Sequence, residues 1–294
     1  MFQSCLICTD FSDGLYRLVD FVPSLSASGI KRIIFFHNVP LWQEGEIPRV
    51  DEEAIEAARR RLQAGISDLP SDVEVEIEIT SGRPIENIQK VAKSYEPSVI
   101  LTGMPIRSLL KEKLFGSTTA ALARSCVQPL LILRPELIST YTREELSLRC
   151  QHLSRYLLIP YDGSDSSKYV VKKVKEYVQG QSQSYLERCM VISVVEDAGR
   201  RELPKDYRFE EAQEKIEAVK AELEQLDLQI NAEVRRGNPL TEILDAALVY
   251  DISAIAVSSN TLGKGSIREW STGSFAGDLI RRSWHPVLFF PGSK

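Results

Sequence analysis

Short apolar runs alternate along the chain with longer amphipathic stretches. Runs such as RIIFFHN (32–38) and SVILTG (98–103) are apolar at nearly every position, which is typical of parallel strands covered by helices on both faces. The pattern predicts strands at 3–9, 32–39, 73–80, 98–103 and 129–133, with helices at 12–27, 51–68, 84–95 and 116–126. It also predicts strands at 155–162, 187–195, 229–235, 253–258 and 287–290, with helices at 166–179, 207–226, 239–249 and 272–283.

The same pattern occurs twice. SCLICTDFSDGLYRLVDFV aligns with RYLLIPYDGSDSSKYVVKKV and places Asp10 over Asp162, and EIEITSGRPIENI aligns with AEVRRGNPLTEIL. LFGSTTAALARSCVQPLLILRP likewise aligns with STGSFAGDLIRRSWHPVLFFPG. Self-similarity on this scale indicates a duplicated structural unit.

Alternation of strands and helices predicts an α/β protein of two doubly wound domains, each with a five-stranded, mainly parallel sheet. We expect domains at 1–136 and 154–294, joined by a polar linker at 137–153. The last strand of each half is apolar and has no predicted helix after it, so its exposed edge favours pairing. We therefore expect an intramolecular pseudo-dimer about a pseudo-twofold axis, with a further homodimer left open.

Composition excludes several classes of protein. A net charge of −5 gives no reason to expect a nucleic-acid partner, and no apolar run reaches the length of a membrane span. The N-terminus lacks the features of a secretory signal, so we expect a cytoplasmic protein. Cys5 and Cys8 form a CxxC pair, but suitably spaced further zinc ligands are lacking, and we interpret both as small strand residues.

Candidate binding residues follow the predicted strands, because ligands of open α/β sheets bind beyond the carboxyl ends of the strands. Asp10 and Asp162 end the first strand of each half, followed by the helix-cap candidates Ser12 and Ser164. A long loop after the fourth strand leads in each half to Gly-Ser at the start of a helix. Free amides and the helix dipole make such a junction a phosphate site.

These motifs together resemble the universal stress protein family over both halves. The resemblance implies binding of ATP or AMP through a G-2x-G-9x-G-[S/T] motif, with the adenine framed by the strand-1 Asp and the end of strand 2. The implied second site comprises Tyr161, Asp162, Val194, Gly263, Gly273, Ser274 and Phe275. The implied first site comprises Thr9, Asp10, Asn38, Gly103, Gly116, Ser117 and Thr119. We expect the second site to be the occupied one if only one is used.

Each copy departs from the motif. Ile106 replaces the second glycine in the first copy, and Asn260 replaces the first glycine in the second, where Ala276 also lacks a hydroxyl. Lys264 and Arg268 could neutralise phosphate, or could be solvated loop charges. Asp13 and Asp165 could hold Mg²⁺ beside the strand-1 Asp, or simply favour the following helix N-terminus.

No catalytic arrangement emerges from the sequence. HExxH, GxSxG and Walker motifs are absent, and His37 fits a partly buried strand histidine. The expected function is a stress-response regulator that binds an adenine nucleotide and an unidentified protein partner, with slow ATP hydrolysis left open. The alternatives are a nucleotide-free interaction scaffold and, with weaker support, an ATP pyrophosphatase-like enzyme, since YDGSDSS has one of the paired glycines of the SGGxDS loop.

Overall fold

The computed structural model of this chain describes residues 1–11, 14–42, 48–67, 69–104, 117–180, 184–196, 205–258 and 274–292. The chain divides into two compact units. The first unit comprises Phe2–Gln151, and the second unit begins at His152. This division falls within 137–153, the segment in which we expected a linker.

The first unit is a parallel sheet with helices between its strands. Its strands, in the order β3-β2-β1-β4-β5, all run parallel to their neighbours. Its elements are β1 (Ser4–Thr9), a 3-10 helix (Leu15–Phe21), α1 (Val22–Ala27), β2 (Arg32–Val39), α2 (Glu52–Gly65), β3 (Glu74–Ser81), α3 (Pro84–Tyr95), β4 (Val99–Gly103), α4 (Ser117–Ser125), β5 (Leu130–Leu133), α5 (Pro135–Thr140) and α6 (Arg143–Gln151).

The second unit repeats this topology, as the internal duplication predicts. Its strands lie in the order β8-β7-β6-β9-β10 and are again parallel. Its elements are β6 (Tyr156–Pro160), α7 (Asp165–Gln179), β7 (Arg188–Val195), α8 (Lys205–Glu224), β8 (Gln229–Arg236), α9 (Pro239–Val249), β9 (Ala254–Ser258), α10 (Phe275–Arg282) and β10 (Val287–Phe290). The predicted α/β fold and the sheet of each half are confirmed.

The topology places the candidate residues at the carboxyl ends of the strands in each sheet. In the first unit β1 lies between β2 and β4, and in the second unit β6 lies between β7 and β9. The chain winds outward in opposite directions from these central strands. A crevice opens at the carboxyl ends of the strands on either side of such a reversal, and ligands of this fold class bind there.

Two expectations about helices in the first unit are wrong. The predicted helix 12–27 is divided into a 3-10 helix and α1, and two helices, α5 and α6, follow β5, where we expected none. Arg17 of the 3-10 helix donates to the carbonyl oxygens of Ile138 and Tyr141 at the end of α5. Ser24 and Ser147 join α1 to α6 at 2.9 Å. The segment after β5 is therefore bound to the first unit.

The two cysteines of the CxxC pair lie inside a strand, as the sequence analysis suggested. Cys5 and Cys8 are buried in β1, and burial raises the pKa of the Cys5 thiol. Across the described residues, no three His, Cys, Asp or Glu side chains lie close enough to hold a metal ion together. Within the same ranges, no helix is both long and apolar enough to cross a membrane.

Candidate functional site

At the carboxyl end of β1 in the first unit, Thr9 forms hydrogen bonds with two neighbouring residues. His37, on the neighbouring strand β2, is paired in register with Thr9, and its Nδ1 lies 2.8 Å from the Thr9 carbonyl oxygen. The Phe11 amide donates to the Thr9 hydroxyl at 3.1 Å. Asp10, between them, is exposed. These contacts fix the backbone on both sides of Asp10.

Phe11 directly follows Asp10 at this strand end and is half-buried. Its φ of 66° lies in the left-handed region, which costs a residue with a Cβ roughly 1–2 kcal/mol. Its ring lies against the His37 imidazole, with centroids 4.1 Å apart and planes inclined by 36°. The Arg61 guanidinium of α2 lies 4.4 Å from the Phe11 ring centroid and 4.5 Å from that of Tyr16. Aromatic and cation–π contacts thus offset the backbone strain.

His37 is the buried titratable group of this cluster, and its pKa is lowered below its ordinary value of 6.5. Burial is the largest cause, because it disfavours the imidazolium ion, and the nearby Arg61 acts in the same direction. The Thr9 carbonyl and the Asp10 carboxylate oppose the shift without cancelling it. His37 is therefore held towards its neutral form, in agreement with the partly buried strand histidine that the sequence suggests.

The remaining predicted residues of the first unit make internal hydrogen bonds. The Asn38 side-chain amide donates to the Gly82 carbonyl at 3.0 Å, and its oxygen accepts from Thr80 and Asn87. The Thr119 hydroxyl, buried in α4, donates to the Gly103 carbonyl at 3.0 Å. These bonds tie the helices α3 and α4 to the ends of strands, so both side chains have a structural role.

In the second unit, different side chains surround the end of the corresponding strand, β6. Asp162, two residues after the end of β6, accepts a hydrogen bond from the Ser164 amide at 2.9 Å, and Ser164 caps α7 by accepting from the Ser167 amide. Burial, the largest single influence, acts to raise the Asp162 pKa. Interactions with Ser164 and Ser167 together outweigh it and hold the pKa below the ordinary 3.8. Asp162 is thus an oriented carboxylate, charged at neutral pH.

Gly163 holds the position in the second unit that Phe11 holds in the first, because Asp162 aligns with Asp10. Its φ of 79° repeats the left-handed backbone without the strain of a side chain. The three atoms nearest to a Cβ built there belong to the flexible side chain of Lys215 on α8, the first at 3.4 Å. A cation from the helix after the second strand therefore lies beside this position in both units.

The other described residues of the implied second site surround this strand end. Tyr161 is buried, and its amide donates to the Ile192 carbonyl at 2.8 Å. Val194 lies near the end of β7 and is half-buried. Ser193, beside it, is buried and small, and the strand register gives it the position that His37 holds in the first unit. The second unit therefore has Gly and Ser where the first has Phe and His.

The helix that follows the fourth strand begins with a capping serine in the second unit. Ser274 accepts a hydrogen bond from the Gly277 amide at 3.1 Å, and Phe275, the first residue of α10, is exposed. Ser166 donates to the Ser258 carbonyl at the end of β9, which fixes α7 against that strand. The described part of the second site thus has a carboxylate just beyond the end of β6 and a helix N-terminus after β9.

Several predicted residues lie outside the described residues. They are Ser12, Asp13, Ile106, Gly116, Asn260, Gly263, Lys264, Arg268 and Gly273. Ser117 begins α4, and only its backbone is described. The glycine-rich phosphate motif of both copies therefore remains a sequence prediction.

Sequence reasoning missed the side chains that distinguish the two strand ends. The alignment of Asp10 with Asp162 already places Phe11 against Gly163, so a signal for this difference was present. Arg61 and Lys215 had no such signal, because a single cation on an amphipathic helix is indistinguishable in sequence from other solvated charges.

Comparison with known proteins agrees with this architecture. The model of the universal stress protein family matches residues 1–134 and 154–291, so the chain belongs to this family and carries two copies of its domain. A universal stress protein of Methanocaldococcus jannaschii is 28% identical over 142 residues, which cover 47% of this chain and 82% of that protein.

A structural relative covers the whole length of the chain. The crystal structure of a universal stress protein from Archaeoglobus fulgidus has a TM-score of 0.67 and 19% identity, and the match covers 98% of this chain and 97% of that one. At this identity the likeness concerns the fold. The tandem arrangement of two units is thus shared with a solved member of the family.

Proposed function

We propose that this universal stress protein binds an adenine nucleotide, ATP or AMP, at the carboxyl end of the sheet in its second unit. The observation that supports this choice is Gly163, which directly follows Asp162 with a left-handed backbone and no side chain of its own. A ligand can approach such a backbone closely. Family membership and the Gly-Ser junction before α10 support the same ligand class.

The proposed roles follow from the chemistry of each group. The oriented Asp162 carboxylate accepts hydrogen bonds from the ligand, and Tyr161 and Val194 border the base. The Ser274 hydroxyl and the N-terminus of α10 face the phosphate end, where the helix dipole favours negative charge. We assign Gly263 and Gly273 to the same end by resemblance to the family.

The proposed role of the ligand is regulatory, in a cytoplasmic stress response. Bound nucleotide changes a surface that a protein partner recognises. A ligand shifts such an equilibrium only by the difference between its affinities for the two states. The proposal therefore requires measurable binding and needs no chemical step.

Thermal unfolding in the presence of ATP, ADP and AMP tests this function. At a ligand concentration 100 times the dissociation constant, binding adds about 2.7 kcal/mol to the free energy of unfolding and raises the melting temperature. Gly163→Val should abolish this rise, since a β-branched residue is strained at this φ and its side chain would project beside Lys215.

Gly82→Ala is the matched control, because Gly82 also has a positive φ, of 105°, and no atom lies within 4 Å of its Cβ position. This variant should lower the melting temperature while keeping the nucleotide-induced rise. Absence of any rise in the native protein with all three nucleotides would favour the nucleotide-free scaffold instead.

A further inference from the structure

The two units have the same backbone conformation after the strand-1 Asp, but the first unit carries a large side chain there and the second carries none. Phe11 and Gly163 both follow the strand-1 Asp, with φ of 66° and 79°. Glycine adopts this conformation without cost, whereas phenylalanine does not. The first unit therefore keeps a large aromatic side chain at a position where glycine would relieve the backbone strain.

The surroundings of the Phe11 ring are of a kind that binds a planar heterocycle. One face lies against the His37 imidazole at 4.1 Å, and the Arg61 guanidinium lies 4.4 Å from the ring centroid. Aromatic faces and guanidinium planes are the surfaces on which nucleobases stack. The ring thus makes, within its own chain, the contacts that a base would otherwise make.

The second unit lacks both large groups. Gly163 replaces Phe11, and the buried Ser193 replaces His37, while Lys215 remains beside the turn. Two aromatic rings cannot occupy the same space at interior packing density. Among the described residues, the positions equivalent to Phe11 and His37 carry no ring in the second unit, so the space that the first unit gives to Phe11 is not taken by either of them.

From these contacts we infer that the Phe11 ring, which lies against His37, occupies the place in the first unit that a nucleobase would take. It therefore prevents nucleotide from binding there. Each chain consequently takes up one adenine nucleotide, in the second unit. This inference rests on the proposed function for the identity of the ligand. It assigns Phe11 as the residue that decides which of the two units binds.

Reciprocal exchange of the two residue pairs tests the inference. Calorimetric titration with AMP gives the number of sites in the full-length chain. The native protein should bind one AMP per chain. Phe11→Gly combined with His37→Ser should bind two, and Gly163→Phe combined with Ser193→His should bind none. Circular dichroism and a cooperative melt establish that each variant is folded, and Phe11→Ala replaces the first double variant if that one does not fold.

Each outcome separates this inference from the proposed function. Two sites in the native protein, or one site in the folded Phe11→Gly/His37→Ser variant, would overturn the occupant role of Phe11. One site retained in Gly163→Phe/Ser193→His would overturn it as well. If native protein binds no AMP, the proposed function fails. A site gained on removing Phe11 would then still uphold the inference, and no gain would overturn it.

Discussion

The Phe11 ring lies against the His37 imidazole with centroids 4.1 Å apart, at the point where the first two strands of the first unit end. The same point in the second unit has Gly163 and Ser193. The chain therefore repeats one fold while differing at the position that decides whether a ring from solution can enter. The two copies share the left-handed backbone at this position and differ in the side chains that it carries.

We expect His37 to make stability depend on pH. Its pKa is lowered on folding, so the unfolded chain binds more protons than the folded one below pH 6.5. The contribution is fully present above about pH 6.5 and is lost as the pH falls from there through the lowered folded pKa. The melting temperature of the native protein should therefore fall more between pH 7.5 and 5 than that of His37→Gln. Equal slopes for the two proteins would contradict this assignment.

Arg61→Ala should destabilise the first unit through loss of cation–π contacts. The guanidinium is exposed and lies over Phe11 and Tyr16, where such contacts contribute about 0.5–1 kcal/mol. Denaturant unfolding measures the change, and Arg60→Ala, at the exposed neighbouring position on α2, is the control. A loss no larger than that of the control would show that Arg61 does not hold the ring in place.

Asn38 should matter for stability through its side-chain hydrogen bonds. The Asn38 side chain forms hydrogen bonds with Gly82, Thr80 and Asn87. These hydrogen bonds join the ends of β2 and β3 to the start of α3. Asn38→Ala removes the partner that the Thr80 hydroxyl and the Gly82 carbonyl have in this side chain, whereas Asn87 keeps its bond to the Ser81 carbonyl. The substitution should lower the free energy of unfolding by about 1–3 kcal/mol. A double-mutant cycle with Asn87→Ala should give a non-zero coupling energy. Independent effects of the two changes would exclude the network.

Ser274 has a capping role that can be separated from the proposed ligand role. Ser274→Ala removes the acceptor for the Gly277 amide and should cost about 1 kcal/mol of stability. Ser274→Asp restores the cap, because Asp is a good N-cap residue, but adds a negative charge where the phosphate is proposed to lie.

The aspartate variant should therefore be as stable as the native protein and bind ATP more weakly. Asp51→Ala is the control, since Asp51 caps α2 in the first unit by accepting from the Ala54 amide. Asp51→Ala should lose about as much stability as Ser274→Ala and should keep the affinity of the native protein for ATP. Undiminished ATP binding by Ser274→Asp would remove Ser274 from the site.

The sequence predicted the repeated sheet because buried parallel strands are apolar at almost every position. It failed where few buried residues suffice to hold a helix. In α6 only Leu146 and Cys150 are buried, too sparse a pattern to distinguish a helix from a polar linker. A local signal was present: Thr142 and Glu145 bond each other's backbone amides, the arrangement of a capping box.

The candidate site was predicted only as far as alignment with the family reaches. The acidic strand ends were found because Asp10 and Asp162 align in the repeat. The same alignment places Phe11 against Gly163, but it does not show that Arg61 and Lys215 lie beside these two positions, because packing between distant elements decides that. Such contacts leave no periodic trace in a single sequence.

Nucleotide is proposed to bind at the second unit and not at the first. Amide chemical shifts of the ¹⁵N-labelled full-length protein, recorded during titration with ATP, test it most directly. We expect saturable changes at Asp162, Gly163 and Ser274, with Thr9, Asp10 and Phe11 unchanged. Changes centred on the first unit, or no change in either unit at millimolar ATP, would contradict it.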